Sequence, residues 1–209
     1  MKVIIFDMDG TLINSAKAIY YTINTLRRNI GLKENLKEDF IIKTINDPKK
    51  DMIFEFYGVR NVTKEQKYEF EREFIKNYKL HAKLYDGLFE ILQKCRDEGY
   101  FIAVASNAPE ISLREILEIN GVLEFFDLIV GVDKNMPPKP DPAMLFKVLE
   151  ISGAKLNEAI FLGDSKKDEI AAIKAKMPYI QATWGFGQKS EISQNAKTPG
   201  DAWKIIQKM

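Results

Sequence analysis

Five short segments rich in Val, Ile and Phe dominate the pattern of this chain: KVIIF from Lys2, FIAVA from Phe101, DLIVGV from Asp127, AIFL from Ala159 and YIQAT from Tyr179. They run almost continuously apolar rather than alternating. A strand with one wet face alternates, so continuous strands need cover on both faces, which is the habit of parallel sheets flanked by helices. Helix-like stretches stand between the last four strands: PEISLREILEIN, DPAMLFKVLEIS and KKDEIAAIKAK. Another, Gly87 to Glu98, precedes the second strand. Strand and helix alternate from about residue 86 to the end, which predicts an α/β fold with a doubly wound, mainly parallel, five-stranded Rossmann-like sheet.

Residues 15 to 82 break that rhythm. No strand follows the first one; helix-like blocks come instead (SAKAIYYTINTLRRNI, LKEDFIIKTI, KKDMIFEF, KEQKYEFEREFIKNY), separated by turn signals at Gly31, Asp47-Pro48 and Gly58. The division predicted is a core of residues 1–14 and 83–209 with a small helical domain, 15–82, inserted after the first strand. A length of 209 residues and 45% hydrophobic content suffice for one core and a small companion. The stretch GFGQKSEISQNAKTPG reads as a surface loop before a short last helix.

The polar residues at the strand ends carry the functional signal. Asp7 and Asp9 of DMDGT follow the first strand directly, at the end where open α/β sheets bind ligands. If the chain stays extended there, both carboxylates point the same way and repel unless a cation or shared proton intervenes. Ser106-Asn107 follows FIAVA, and Gly163-Asp164-Ser165 follows AIFL. Asp168 falls in the first turn of the next helix. Lys139 lies in PPKPDP, before a helix for which Asp141 is the expected N-cap and Pro142 the first residue. Each has a bland reading as well. Asp168 suits a helix N-terminus, Ser106 a helix cap, Asp164 a turn, and Lys139 an exposed loop.

DMDGT, Ser106-Asn107, Lys139 within KPDP, and GDSKKD resemble, in order, the four signature motifs of the haloacid dehalogenase-like hydrolase superfamily. The likeness spans essentially the whole chain, and the insertion resembles the small α-helical cap of many members. DEIAAIKAKMPYI and Trp184-Gly185 resemble the phosphoglycolate phosphatase-like branch. That resemblance implies a Mg²⁺-dependent phosphatase of a small phosphorylated metabolite. It makes Asp7 the nucleophile, Asp9 the general acid/base, and Ser106, the Asn107 backbone amide and Lys139 the phosphoryl holders. It makes Asp7, the Asp9 carbonyl and Asp164 the metal ligands, with Asp168 in the outer shell or orienting Lys139. A carboxylate nucleophile suits neutral pH because its reference pKa is about 3.9, and magnesium prefers such oxygen ligands. Two departures leave the ester open: Ala108 stands where that branch usually has lysine, and Asn46 where it often has glycine. A β-phosphoglucomutase-like phosphomutase and a non-catalytic phospho-ligand-binding module remain alternatives.

Net charge narrows the partners. With 31 basic and 30 acidic residues the chain has no general pull toward nucleic acid or anionic membrane. No apolar run approaches a membrane span, and Val3–Phe6 is too short for a signal-peptide core. The single cysteine, Cys95, excludes an intramolecular disulfide and reads as a small core residue. Together these predict a cytoplasmic protein; a monomer or a homodimer is expected. His81, the only histidine, reads as a surface residue. Arg27, Arg28, Lys43, Lys49 and Lys50 are available to an anionic substrate but read mainly as solvated, and Trp184 with GFG suits either a pocket mouth or a turn.

Overall fold

The computed structural model describes residues 2–208. In chain order the elements are β1 (Val3–Phe6), β2 (Ile13–Asn14), α1 (Ala16–Asn29), α2 (Glu38–Asn46), α3 (Met52–Tyr57), α4 (Lys64–His81), β3 (Lys83–Leu84), α5 (Leu88–Asp97), β4 (Phe101–Ala105), α6 (Glu110–Ile119), β5 (Leu128–Val130), α7 (Ala143–Ser152), β6 (Ala159–Gly163), α8 (Lys166–Ala175), β7 (Tyr179–Ala182), β8 (Gln194–Ala196) and α9 (Pro199–Ile206). β2 and β3 form a small two-stranded sheet; the main sheet has the order β5-β4-β1-β6-β7-β8. Every pairing in it is parallel.

The sheet therefore has six strands where the apolar runs predict five. The extra one, β8, is QNA at the edge beyond β7, inside the stretch expected to be loop. An edge strand needs only one neighbour and little burial, and only Ala196 of β8 is buried, so no apolar run announces it. The start of α7 also shifts. Pro142 is the N-cap and Asp141 the residue before it, although Asp141 Oδ1 still accepts from Ala143 N at 2.9 Å.

β1 is buried on both faces because helices cover both. Val3 and Ile5 join Ala103, Ala105, Phe161 and Tyr179 against Met144, Leu145 and Val148 of α7 and Ala171, Ala172 and Ala175 of α8. By the strand pleat Ile4 and Phe6 face the other way, the side where α5 packs on β4 and on α9, and α9 on β7 and β8.

The chain forms two compact units, one of residues up to Asn14 and from Leu84 onward, the other Ser15–Lys83. The second is helical. α1 lies along α4, and Ile23, Ile41 and Phe56 form its small core. Several of its polar groups hold the architecture together. Asn24 donates to Leu36 O (3.1 Å) and accepts from Leu36 N (2.8 Å). Asp51 caps α3, Gly58 ends it at φ 71°, and Thr63 with Gln66 forms a capping box for α4. Arg27 donates to Phe56 O and Glu34 O, Arg28 to Asn35 and Thr25, and Lys50 pairs with Glu55. Half-buried His81 stacks on Tyr21, ring centroids 4.6 Å apart.

Candidate active site

β1 occupies the place where the winding of the sheet reverses, with β4 on one side and β6 on the other. Ligands of open α/β sheets bind outside the strand ends at such a switch point. Phe6 is in register with Val104 and Leu162, so Asp7 stands beside Ala105 and Gly163. Its amide donates to Leu162 O at 2.8 Å. The chain does not stay extended after Asp7. Met8 O accepts from Thr11, Leu12 and Ile13, and Gly10 N donates to Ile13 O. Asp9 thus lies in a tight loop, bridged to Ile13 and partly exposed, while Asp7 is buried.

Lys139 is drawn in from the loop before α7 and is 4% exposed. Its ammonium lies 2.5 Å from Asp7 Oδ1 and 2.6 Å from Asp168 Oδ1, and donates to Ala105 O at 2.8 Å. The reading of Lys139 as an ordinary exposed loop lysine therefore fails. Asn107 fixes its backbone: Oδ1 accepts from Lys139 N at 2.7 Å and Nδ2 donates to Lys139 O at 2.9 Å. The Asn107 side chain is thereby committed. Buried Ser106 donates its amide to Val130 O at 3.1 Å and caps no helix; α6 starts after Pro109 with no side-chain cap.

Asp164 and Asp168 bracket the start of α8, and both are 1% exposed. Asp168 serves as a helix-start residue and as a partner of Lys139 together. Its Oδ2 accepts from Ser165 N (2.9 Å) and Ser165 Oγ (2.6 Å), closing a capping box. Asp164 Oδ2 accepts from Phe186 N (2.7 Å) and Gly187 N (3.1 Å), and Gln181 Nε2 donates to Asp164 O. The loop is pressed onto this residue so closely that a side chain has no room. A Cβ on Gly187 would stand 1.5 Å from Asp164 O, and one on Gly185 1.9 Å from Gly10 O. Trp184 Nε1 donates to Thr11 O at 3.0 Å. These backbone donors are the participants that side-chain reasoning misses; the spaced glycines of GFG are their only mark in the sequence.

Burial first, then the Asp168 charge, pushes the Asp7 carboxyl up to about 7 against the pull of Lys139. Asp164 is also raised, by burial and by Asp7 and Asp168, against the two loop amides. Burial disfavours the Lys139 ammonium, but Asp168 and Asp7 outweigh it and its pKa rises. One lysine does not balance three buried carboxylates.

The residues fit a divalent cation. Asp7, Asp164 and Asp168 each offer an oxygen within 4.8 Å of the others, and Asp164 Oδ1 is buried with no hydrogen-bond partner. All the donors are oxygen, the set hard cations prefer. Asp168 is the least free of the three, being engaged by Ser165 and Lys139. Among the described residues no helix is long and apolar enough to cross a membrane.

Residues 4–182 match the sequence profile of the haloacid dehalogenase-like hydrolases. A phosphoglycolate phosphatase of Aquifex aeolicus is 32% identical over 209 residues, spanning 99% of this chain and 97% of its own length. Among solved structures, a predicted phosphoglycolate phosphatase from Haemophilus somnus matches with a TM-score of 0.82 at 25% identity, over 98% of this chain and 97% of that one. A predicted phosphatase from Clostridium acetobutylicum matches with a TM-score of 0.82 at 24% identity, over 100% and 99%, a likeness of fold alone.

Proposed function

The chain belongs to the haloacid dehalogenase-like hydrolase family, and from that premise we propose that it is a Mg²⁺-dependent phosphatase. It hydrolyses a small phosphorylated metabolite through an aspartyl-phosphate on Asp7. The observation that carries this reading is Asp7, buried at the sheet's switch point, held by Lys139 and within cation-sharing distance of Asp164.

Asp7 attacks phosphorus, and the bond from phosphorus to the ester oxygen breaks. Asp9 gives its proton to that oxygen, so the alcohol leaves neutral. Asp9, now a carboxylate, takes a proton from water as the water oxygen attacks the phosphoryl group. The bond to Asp7 breaks, inorganic phosphate leaves, and both aspartates return to their starting states. Ser106 and the Asn107 amide hold phosphoryl oxygens, while Lys139 offsets charge on nucleophile and phosphoryl group. Asp7, the Asp9 carbonyl and Asp164 would hold Mg²⁺, which supplies neutralisation of the phosphoryl charge. Asp168 keeps Lys139 in place from outside that set. The helical unit sorts substrates, and the single buried cysteine suits a cytoplasmic protein.

The resemblance to phosphoglycolate phosphatases makes phosphoglycolate the first ester to try. Inorganic phosphate release from a panel of phosphorylated metabolites, with Mg²⁺ and with EDTA, tests the reading. Release should require Mg²⁺; full activity after exhaustive metal removal would refute the cation's part. Transfer of the phosphoryl group to a second sugar hydroxyl, with no phosphate released, would replace hydrolysis by a mutase reaction.

A further inference from the structure

Beyond the cation's own neighbourhood lies a second buried polar cluster that the mechanism above does not use. Glu169 follows Asp168 on α8 and is 2% exposed. Its Oε1 accepts from Ser190 Oγ and from Ser193 Oγ (2.8 Å), and Lys166 pairs with Oε2. Ser190 Oγ in turn accepts from Ile192 N (3.1 Å) and Ser193 N (2.9 Å). Asn195 closes the turn, accepting from Ser190 N (2.8 Å) and donating to Ser190 O (2.9 Å) and Ser193 O (3.0 Å). Apart from the Lys166 pair, which lies within α8, these bonds fix the far end of the loop whose near end, Phe186 and Gly187, donates to Asp164.

The loop needs such an anchor. Its two glycines make ordering it entropically expensive, and no room separates it from Asp164. With the loop in place, Asp164 Oδ2 is occupied by two amides, and Oδ1 alone is left without a partner. With the loop released, the carboxylate loses both donors and nothing distinguishes its oxygens. We infer that Glu169 is a positioning residue: by anchoring the loop through Ser190 and Ser193, it presets Asp164 to receive the divalent cation. The inference rests on the cation reading proposed above.

The test measures binding of Mg²⁺ alone to the full chain by calorimetry, without substrate. Partners that orient a metal ligand from outside the ligand set typically govern affinity by about 10–100-fold, so Glu169→Ala should weaken Mg²⁺ binding by about tenfold. Glu169→Gln keeps an acceptor for both serine hydroxyls and gives up only a pair with Lys166, whose side chain is 58% exposed. The serine hydroxyls sit on Oε1 and the lysine on Oε2, so the loop tether survives the change and affinity should stay within about threefold of wild type. Amide exchange at Phe186 and Gly187 should quicken in Glu169→Ala and not in Glu169→Gln. Raising Mg²⁺ should restore most of the kcat of Glu169→Ala, which a catalytic role would not allow. If Glu169→Ala does not fold, Ser193→Ala and Ser190→Ala cut the same tether from the loop side and should weaken Mg²⁺ binding in the same direction. A folded tether variant with wild-type affinity and protected amides overturns the role of Glu169. A wild-type protein that binds no Mg²⁺ overturns the cation reading and this inference with it.

Discussion

The two units treat buried charge in opposite ways. The sheet unit buries Asp7, Lys139, Asp164, Asp168 and Glu169, and leaves Asp164 Oδ1 with no partner. Among the described residues of the helical unit, the only buried charged side chain is Glu73, with Lys76 at 3.3 Å and Arg72 at 3.9 Å. One unit accepts unbalanced charge that destabilises it; the other keeps its one buried carboxylate beside two cations. Buried charge kept at a loss in stability marks a place selected for chemistry. Substitutions should therefore separate activity from stability differently in the two units.

The largest effect expected is from Asp7→Asn. Turnover on every ester should fall by about 10⁴-fold or more, since the proposed nucleophile is gone. Melting of the metal-free protein should stay level or rise, because burial already favours an uncharged group there. Its counterpart in the helical unit is Asn24→Ala, which strands both backbone groups of Leu36. It should lose about 1–3 kcal/mol of stability and leave the chemical step intact. A large drop in melting for Asp7→Asn would erase the contrast between the units.

Asp9→Asn comes next, and it separates two esters. An alkyl phosphate expels a poor alkoxide, so its first step should slow by about 10²–10⁴-fold. A nitrophenyl phosphate expels a stable phenolate, so Asp7 should still become phosphorylated while hydrolysis lags. Rapid mixing should show a burst near one equivalent of nitrophenolate per site, then slow turnover. Equal slowing on both esters without a burst would leave Asp9 a structural residue of its tight loop.

Smaller again is the effect of removing the helical unit. Leu12 O accepts from Tyr85 N at 2.9 Å within the sheet unit, so a short linker can replace residues 15–83. The shortened chain should fold, and its discrimination among small esters should fall by about tenfold, the worth of one or two apolar contacts. An unchanged substrate ranking would move specificity into the sheet unit.

Much of this was legible beforehand, for stated reasons. β1, β4, β5, β6 and β7 are sandwiched between helices, so their burial writes itself as apolar runs. β8 is an edge strand made of Gln194, Asn195 and Ala196, and nothing in its composition separates it from loop. The functional family was legible because three of its motifs directly follow strands and the fourth precedes a helix, in a fixed order. Asn107 bonding to the Lys139 backbone was not, because 32 residues separate the partners. Nor were the Phe186 and Gly187 donors, since an amide has no residue type. The turn after Asp7 was missed for a related reason: it is built from carbonyl contacts of Met8, and Gly10 at φ 83° is its one visible sign.

The finest comparison concerns two neutral acids, one in each unit. Burial first, then Glu98, pushes the Cys95 thiol up to about 12; burial pushes the Tyr57 phenol up to about 12 against the effect of Arg27. In the unfolded chain these groups ionise near 9.0 and 10.0. The folded state therefore holds its protons longer in both cases. The stabilisation is complete below the unfolded values and is lost as pH rises, from about 9 to 12 for Cys95 and from about 10 to 12 for Tyr57. At pH 10.5 Cys95 should already have cost the fold about 1–2 kcal/mol, and partly exposed Tyr57 a fraction of that. Melting at pH 7 and pH 10.5 checks it: Cys95→Ala should flatten the alkaline loss more than Tyr57→Phe does. At pH 7 Tyr57→Phe should be neutral or mildly stabilising, since the phenol oxygen is buried without a hydrogen-bond partner. A native Cys95 that reacts at once with a thiol reagent at pH 8, or a Cys95→Ala protein as alkali-sensitive as wild type, would show the sheet unit opening there. Its interior would then be no tighter than that of the helical unit, and the charge it buries would need another explanation.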